Sequence, residues 1–183
     1  MGQCVLFLKK VFPLVAALLM RLQNLDDSKL RANARILVVA GSETTSTLMN
    51  GVTYLLLTHP EAMEKLKHEV RSSFKSAEDI TIASASRLPY MLGCLNEALR
   101  LYPPVPGSMV RTIGKGGGVI AGHYIPEGTR VECQQWSMNH STMHWENPWE
   151  FRPERFLSSE KNRDTREALQ PFNVGPRDCV GRG

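Results

Sequence analysis

One long helix is the feature that most constrains how this chain of 183 residues can fold. Asp26, Asp27 and Ser28 supply capping groups and negative charge directly before it, as the N-terminal end of a helix prefers. Apolar residues then recur at helical spacing to about Leu57. We therefore predict a helix from Ser28 to about Leu57, and a mainly α-helical fold arranged around it.

Two shorter helices follow the long one. Pro60 suits a first helical turn, where its missing N–H costs nothing, and Glu61 suits the positive end of the helix dipole. This second helix is predicted to reach about Phe74. A third helix opens around Pro89 and ends where the prolines that begin at Pro103 stop it.

After these helices the pattern changes to that of a small β region. Residues 119–133 predict two strands around a turn, with Pro126 early in the turn and Gly128 at its end. From residue 134 onward periodicity is weak, which indicates irregular coil with short helical turns. The predicted fold class is mainly α with a small β hairpin region.

Charge and cysteine usage exclude several classes of protein. The net charge is +4, but the basic residues are scattered and no nucleic-acid motif accompanies them, so nucleic-acid binding is not expected. The four cysteines are far apart, with neither a zinc-site spacing nor a disulfide framework: Cys4, Cys94, Cys133 and Cys179. A reducing compartment is the simpler assumption.

Residues 1–27 form an apolar segment whose role the sequence leaves open. Ten apolar residues from Val11 to Met20 follow two lysines, but a membrane span needs about 20 apolar residues. The arrangement is similar to a signal peptide without a clear cleavage site. A buried helix and a membrane-contacting anchor remain equally compatible with it.

A glycine-rich loop around Cys179 is the most informative part of the chain. A metal-binding thiolate needs backbone N–H groups close to its sulfur, and Gly175 and Gly181 leave room for that approach. Phe172 would shield the sulfur, and Arg177 is placed to pair with a carboxylate. Taken alone, however, a single cysteine in such a loop is more often inert.

Two further patterns lie on helices. Glu97 and Arg100 stand three residues apart on one helical face, which by itself indicates a surface salt bridge worth a few tenths of a kcal/mol. Residues 40–45, Ala-Gly-Ser-Glu-Thr-Thr, interrupt the long helix with a glycine that costs about 1 kcal/mol against alanine. We expect the helix to deform there, although a merely kinked core helix explains the pattern equally well.

In combination these patterns resemble the cytochrome P450 family. Five loop positions match its haem-binding signature, Phe-x-x-Gly-x-Arg-x-Cys-x-Gly: Phe172, Gly175, Arg177, Cys179 and Gly181. The resemblance covers residues 28–183, with the motifs in the family's order. It implies a partial P450 haem domain with a long oxygen-activation helix, a Glu-x-x-Arg helix and a Cys-ligand loop, haem b (iron protoporphyrin IX) as cofactor, and Cys179 as the axial thiolate.

The resemblance also assigns roles on the distal side of the iron. Ala40 and Gly41 would leave room for dioxygen, while Glu43 and Thr44 would relay protons to its distal oxygen. Arg111 resembles the arginine that meets a haem propionate, with a merely exposed arginine as the alternative. The sequence therefore predicts Glu43 and Thr44 as catalytic residues.

A structural network is implied as well. In the family the Glu-x-x-Arg pair joins a downstream arginine, here Arg155 in the segment Pro-Glu-Arg-Phe, within a buried cluster near the haem. If Glu97, Arg100 and Arg155 are all buried, removing one leaves an unpaired charge at a cost of several kcal/mol. The three residues are therefore expected to be needed for haem incorporation.

The function implied is that of a haem-thiolate monooxygenase, which hydroxylates an apolar small molecule with dioxygen and two electrons. A flavoprotein reductase or a ferredoxin would donate the electrons. Resemblance to microsomal members suggests the cytosolic face of the endoplasmic reticulum membrane, and otherwise the cytoplasm. The substrate is not revealed by the sequence.

Family members are typically longer, and this chain stops soon after Cys179. The sequence therefore predicts a fragment or incomplete gene product, which would bind haem poorly by itself. The alternative is a catalytically inactive remnant, or an interaction module with a partial haem site. Turnover with an added reductase would separate these two functions.

Overall fold

The computed structural model describes residues 27–107, 109–157 and 163–182. The interpretations of the apolar segment before residue 27 therefore lie outside the described residues. The chain divides into two compact units, residues 1–43 and 44–183. In the described ranges no helix is both long and apolar enough to span a bilayer.

Helix α1 (Asp27–Thr58) is 32 residues long and matches the predicted long helix closely. Residues 40–45 are α-helical throughout, so the pattern expected to deform the helix does not break it. Glycine retains its backbone N–H and C=O groups, so it weakens a helix without breaking the hydrogen-bond ladder. The glycine there costs stability but does not interrupt α1.

Three further helices follow in the second unit: α2 (Pro60–Ser73), α3 (Ile82–Ala85) and α4 (Pro89–Leu101). Proline occupies the first turn of both α2 and α4, as the sequence predicts. Glu69 of α2 accepts hydrogen bonds from the backbone N–H groups of Tyr90 and Met91, at 2.8 and 2.9 Å. A side chain of α2 thus caps α4, where no preceding side chain does so.

The β region differs from the predicted single hairpin. It contains β1 (Arg111–Thr112), β2 (Gly118–Ile120), β3 (His123–Ile125) and β4 (Arg130–Val131). Strand β2 pairs antiparallel with β3, and β4 pairs antiparallel with β1.

The turn of the β2–β3 hairpin is therefore not the one predicted at Pro126 and Gly128. Ala121 and Gly122 make it instead, with φ angles of +48° and +82°. Gly128 has a φ of +79° in the connection that leads from β3 to β4. The predicted turn also forms, since the Thr129 N–H donates to the Pro126 carbonyl oxygen at 3.3 Å, but the strands on its two sides pair with other strands: β3 with β2 and β4 with β1.

The remaining elements are short and lie near the site. Helix α5 spans Gln135–Asn139, and 3-10 helices span Ala77–Asp79, Pro153–Phe156 and Arg166–Ala168. The main apolar core of the second unit joins α1, α2 and α4 to one following residue: Val52, Leu56, Ala62, Tyr90, Cys94, Ala98 and Phe151. A smaller cluster packs Ala168 and Leu169 against Trp145.

Candidate functional site

Helix α4 and the 3-10 helix Pro153–Phe156 bring Glu97, Arg100 and Arg155 together in the interior, and each is 0% exposed. The Arg100 guanidinium donates to both Glu97 oxygens, each at 2.8 Å. Arg155 Nε donates to Glu97 Oε1 at 3.0 Å. The backbone N–H of Arg152 donates to the same oxygen at 2.9 Å.

Backbone carbonyl groups occupy the outer face of the Arg100 guanidinium. Nη1 donates to the carbonyl oxygens of Asn139 and Pro148, at 2.7 and 2.6 Å, and Nη2 donates to that of Glu150 at 3.1 Å. The Asn139 amide in turn donates to the Arg100 carbonyl oxygen at 3.0 Å. Buried charges require such partners, so this arginine fixes the path of the chain between residues 139 and 150.

Trp145 lies against both guanidinium groups. Its ring centroid is 5.2 Å from the Arg100 Cζ and 5.9 Å from the Arg155 Cζ, and the residue is 1% exposed. A buried aromatic face beside a cation adds electrostatic attraction to packing. The sequence predicts packing anchors at Trp136, Trp145 and Trp149, but only Trp145 is buried, whereas the other two are 41% and 68% exposed.

Asp164 is a fourth charged residue of this network, and sequence reasoning missed it. Its side chain is 0% exposed and its Oδ2 accepts from Arg155 Nη1 at 2.5 Å. Its Oδ1 accepts from the backbone N–H of Glu146 at 2.7 Å. The surrounding polar sequence is typical of a solvated loop, so it carries no signal for a buried carboxylate.

The cysteine loop is held by backbone contacts, and Cys179 itself is exposed and free. The Cys179 N–H donates to the carbonyl oxygen of Phe172 at 2.8 Å. Between Phe172 and Cys179 the chain turns at Asn173 and Gly175, whose φ angles are +62° and +86°. A Cβ built on Gly181 would lie 3.7 Å from the cysteine sulfur, in van der Waals contact. A larger side chain at that position would therefore crowd the thiol.

The flanking groups predicted around the sulfur are more open than expected. Phe172 is 37% exposed, so it only partly covers the loop. Arg177 is exposed as well. The loop thus presents its thiol and its guanidinium to incoming groups.

A cavity of about 420 Å³ lies beside this loop, and Arg111 lines it together with Asn173 and Val174. Gln135 also lines it, and its buried Nε2 has no hydrogen-bond partner within the described part of the chain. Cys179 does not itself line this cavity, but its loop does, through Asn173 and Val174. A thiol is a suitable ligand for iron, and a guanidinium and an amide without a partner can bind carboxylates. These residues are therefore compatible with haem.

The pattern on the long helix lies at the boundary between the two units. Ala40, Gly41 and Glu43 are exposed in the first unit, and a Cβ built on Gly41 would meet nothing within 4 Å. Thr44 is half-buried in the second unit.

Known proteins provide an independent comparison. The family model described as Cytochrome P450 matches residues 11–183. The cytochrome P450 monooxygenase tpeC of Talaromyces stipitatus is 50% identical over 161 residues, which are 87% of this chain and 32% of that protein. The trichothecene C-15 hydroxylase of Fusarium sporotrichioides is 43% identical over 160 residues, 86% of this chain and 32% of that protein. This chain therefore spans about a third of the length of these relatives.

A solved structure agrees with the sequence comparisons. A zebra fish cytochrome P450, in a structure with progesterone, superimposes with a TM-score of 0.64 and 32% sequence identity. The match covers 79% of this chain and 32% of that one. The helical architecture with small antiparallel sheets is consistent with part of that fold.

Proposed function

This chain belongs to the cytochrome P450 family, and on that premise we propose that it is the haem-binding part of a monooxygenase that hydroxylates an apolar small molecule. The observation that carries the proposal is the exposed thiol of Cys179. It stands in a loop whose glycines leave the sulfur accessible, next to a cavity lined by Arg111. This loop also carries the family's signature, which the sequence predicts to bind haem.

Different residues of this chain would bind the iron and the carboxylates of haem. Cys179 as a thiolate would ligate the iron, and Gly181 keeps the space around its sulfur free of side chains. Arg111 and Arg177, as guanidinium groups, would neutralise the haem carboxylates. Gln135 would contribute the amide that has no partner within the described part of the chain. Haem, when bound, supplies the iron centre that activates dioxygen.

Proton delivery is assigned to α1. Glu43 is exposed, so its carboxylate can exchange protons with solvent, and the hydroxyl of the adjacent Thr44 would hold a proton for transfer. Gly41 would leave space beside them for a small ligand. These roles follow from the family, and the exposure of Glu43 is compatible with them.

The substrate is proposed to be an apolar small molecule. Val105 and Met109 line the cavity beside the cysteine loop, so part of its surface is apolar. One relative is named as a hydroxylase of trichothecenes. Hydroxylation of a compound of comparable size and polarity is the reaction that we propose for this chain.

The electron donor and the location remain proposals that rest on the family. We propose a flavoprotein reductase or a ferredoxin as donor, and the cytosolic face of the endoplasmic reticulum membrane as location. Reduction of the haem-loaded chain by each donor in turn would identify the electron donor. Fractionation of cells that express the tagged chain would show its location, and recovery in the cytosolic fraction would contradict the membrane proposal.

The experiment that tests the function is the difference spectrum of the reduced, haem-supplemented chain with and without carbon monoxide. We expect the red-shifted band of a thiolate-ligated ferrous carbonyl in the unmodified chain. Cys179→Ala should lose this band. Cys133→Ala should keep it, because Cys133, although free, exposed and a lining residue of the cavity, lies outside the signature.

The other outcomes separate the alternatives. A band that persists in Cys179→Ala would refute the ligand assignment. No band in the unmodified chain, even with excess haem, would favour an inactive remnant or an interaction module. The excess of haem needed to saturate the band also tests the expectation of weak binding.

A further inference from the structure

We propose that Asp164 is a positioning residue for the thiolate loop, because it ties the segment that leads to Cys179 to the buried network around Glu97. The proposal rests on the proposed function for the meaning of that loop. The anchoring itself can be measured on the chain without haem.

The contacts of Asp164 link three separate parts of the chain. Its Oδ2 accepts from Arg155 at 2.5 Å, and its Oδ1 accepts from the backbone N–H of Glu146 at 2.7 Å. The backbone N–H of the next residue, Thr165, donates to the carbonyl oxygen of His144 at 2.8 Å. Both carboxylate oxygens and the following peptide are thus fixed at one point.

The charge balance of the interior gives a reason for an acid at this position. Arg100 and Arg155 bring two positive charges, whereas Glu97 brings one negative charge, and all three are fully buried. Asp164 adds a second buried carboxylate, so that two negative charges match two positive ones among the fully buried side chains that the structure describes. A buried charge without a counter-charge is strongly unfavourable, which makes this carboxylate part of the network.

The segment that starts at Asp164 leads directly into the cysteine loop. Ala168 and Leu169 pack on Trp145, the same ring that lies against both guanidinium groups. Beyond them, Cys179 is exposed and its N–H donates to the carbonyl oxygen of Phe172. Asp164 and this small apolar cluster therefore attach an otherwise exposed loop to the interior.

The test is amide hydrogen exchange of the full chain without haem, compared between Asp164→Asn and Glu167→Gln. Both variants convert a carboxylate to its amide within one segment, but Glu167 is exposed. We expect Asp164→Asn to speed exchange in residues 165–182 by about tenfold, because a charged buried hydrogen bond is lost. Exchange in α4 should change much less, and Glu167→Gln should resemble the unmodified chain.

Two results would overturn the proposal. Equal acceleration in α4 and in residues 165–182 would mean that Asp164 acts only on global stability, and unchanged exchange would mean that it anchors nothing. Asp164→Glu keeps the charge and lengthens the side chain, so it should give an intermediate effect confined to the same residues. If Asp164→Asn does not fold, hydrogen exchange is measured on Asp164→Glu instead.

A second readout joins the anchoring to the proposed function. In the haem-supplemented chain, Asp164→Asn should reduce the share of the thiolate-type carbonyl band, and Asp164→Glu should restore part of it. Loss of the band in every form, with selective exchange still seen in Asp164→Asn, would reject the proposed function and leave the anchoring intact. A full band in Asp164→Asn would reject the positioning role.

Discussion

Glu97 and Arg155 are 58 positions apart in the sequence, yet Arg155 Nε lies 3.0 Å from Glu97 Oε1 and neither side chain contacts solvent. The carboxylate also binds Arg100 from one helical turn away. Glu97 thus forms a short-range ion pair with Arg100 and a long-range ion pair with Arg155. This arrangement couples α4 to the 3-10 helix Pro153–Phe156.

The first prediction compares this buried pair with an exposed one of the same spacing. Glu97→Gln should lower the free energy of unfolding by about 3–5 kcal/mol, because it leaves the buried Arg100 without its counter-charge and Arg155 with Asp164 alone. Glu64→Gln removes the partner of Lys67, also three residues away, but both side chains are exposed. It should leave the free energy of unfolding nearly unchanged, because solvent and salt screen an exposed pair. Urea denaturation followed by circular dichroism measures both values, and similar costs would contradict the argument.

The second prediction concerns the backbone of the cysteine loop. Gly175 has a φ of +86°, and a Cβ there would meet nothing within 4 Å, so Gly175→Ala adds strain without a clash. The strain should cost about 1 kcal/mol. Gly114 has equally open surroundings, and its φ is outside the left-handed region. Gly114→Ala should therefore be neutral or slightly stabilising.

Hydrogen exchange of the Cys179 amide is the local measurement for this pair of variants. Its bond to Phe172 closes the turn that contains Gly175, so strain in the turn should open it more often. We expect exchange about fivefold faster in Gly175→Ala, which corresponds to about 1 kcal/mol. Unchanged exchange in Gly175→Ala would show that the loop is not held in this conformation in solution.

The third prediction orders the reactivity of three cysteines. Burial, together with the smaller effect of the negative charges of Glu154 and Glu69, raises the pKa of the Cys94 thiol to about 12. Near pH 8 only about one molecule in ten thousand then carries the Cys94 thiolate, the form that reacts. Cys133 and Cys179 are exposed, so iodoacetamide should modify them first.

Peptide mapping by mass spectrometry would follow this alkylation with time. In denaturant the three thiols should react at similar rates, which provides the control. Modification of Cys94 in the native chain as fast as that of Cys133 would mean that α4 does not pack against α2 as described.

The sequence motifs pointed to the network of Glu97, Arg100 and Arg155, because they record short-range spacing and family resemblance. Glu97 and Arg100 lie one turn apart on a helix, and Arg155 lies in a recognisable four-residue segment. The burial of Asp164 could not be predicted, because it depends on contacts with residues 146 and 155 that only the folded chain creates. The partly buried Gln135 amide is likewise a property of the cavity and not of any motif.

The β region illustrates a different limit. Pro126 and Gly128 are strong turn signals, and Gly128 has the positive φ that such a turn uses. The hairpin nevertheless turns at Ala121 and Gly122, since local turn preferences do not determine which strands pair. The pairing of β1 with β4 is a long-range contact that the alternation of residues does not encode.

The last prediction is a pH dependence of stability from His140, whose ring contacts those of Trp136 and Trp149 at centroid distances of 4.1 and 4.3 Å. Burial lowers the pKa of this imidazole and the Arg100 charge lowers it further, although the hydrogen bond to the Trp136 carbonyl oxygen opposes them. In the unfolded chain this histidine has a pKa of about 6.5. The folded chain therefore binds fewer protons at His140 than the unfolded chain does. The contribution of His140 to stability should be complete above about pH 6.5 and should be lost as the pH falls through the lowered value.

His140→Phe keeps an aromatic ring in contact with the two tryptophans and removes the titration. We expect its free energy of unfolding to fall less steeply than that of the unmodified chain as the pH decreases from about 7.5 to about 5. His123→Phe changes an exposed histidine of β3 and should leave the steeper slope in place. Denaturation curves at several pH values provide the comparison. The same slope in His140→Phe and in the unmodified chain would mean that the imidazole has the same proton affinity in the folded and unfolded states, contrary to its burial.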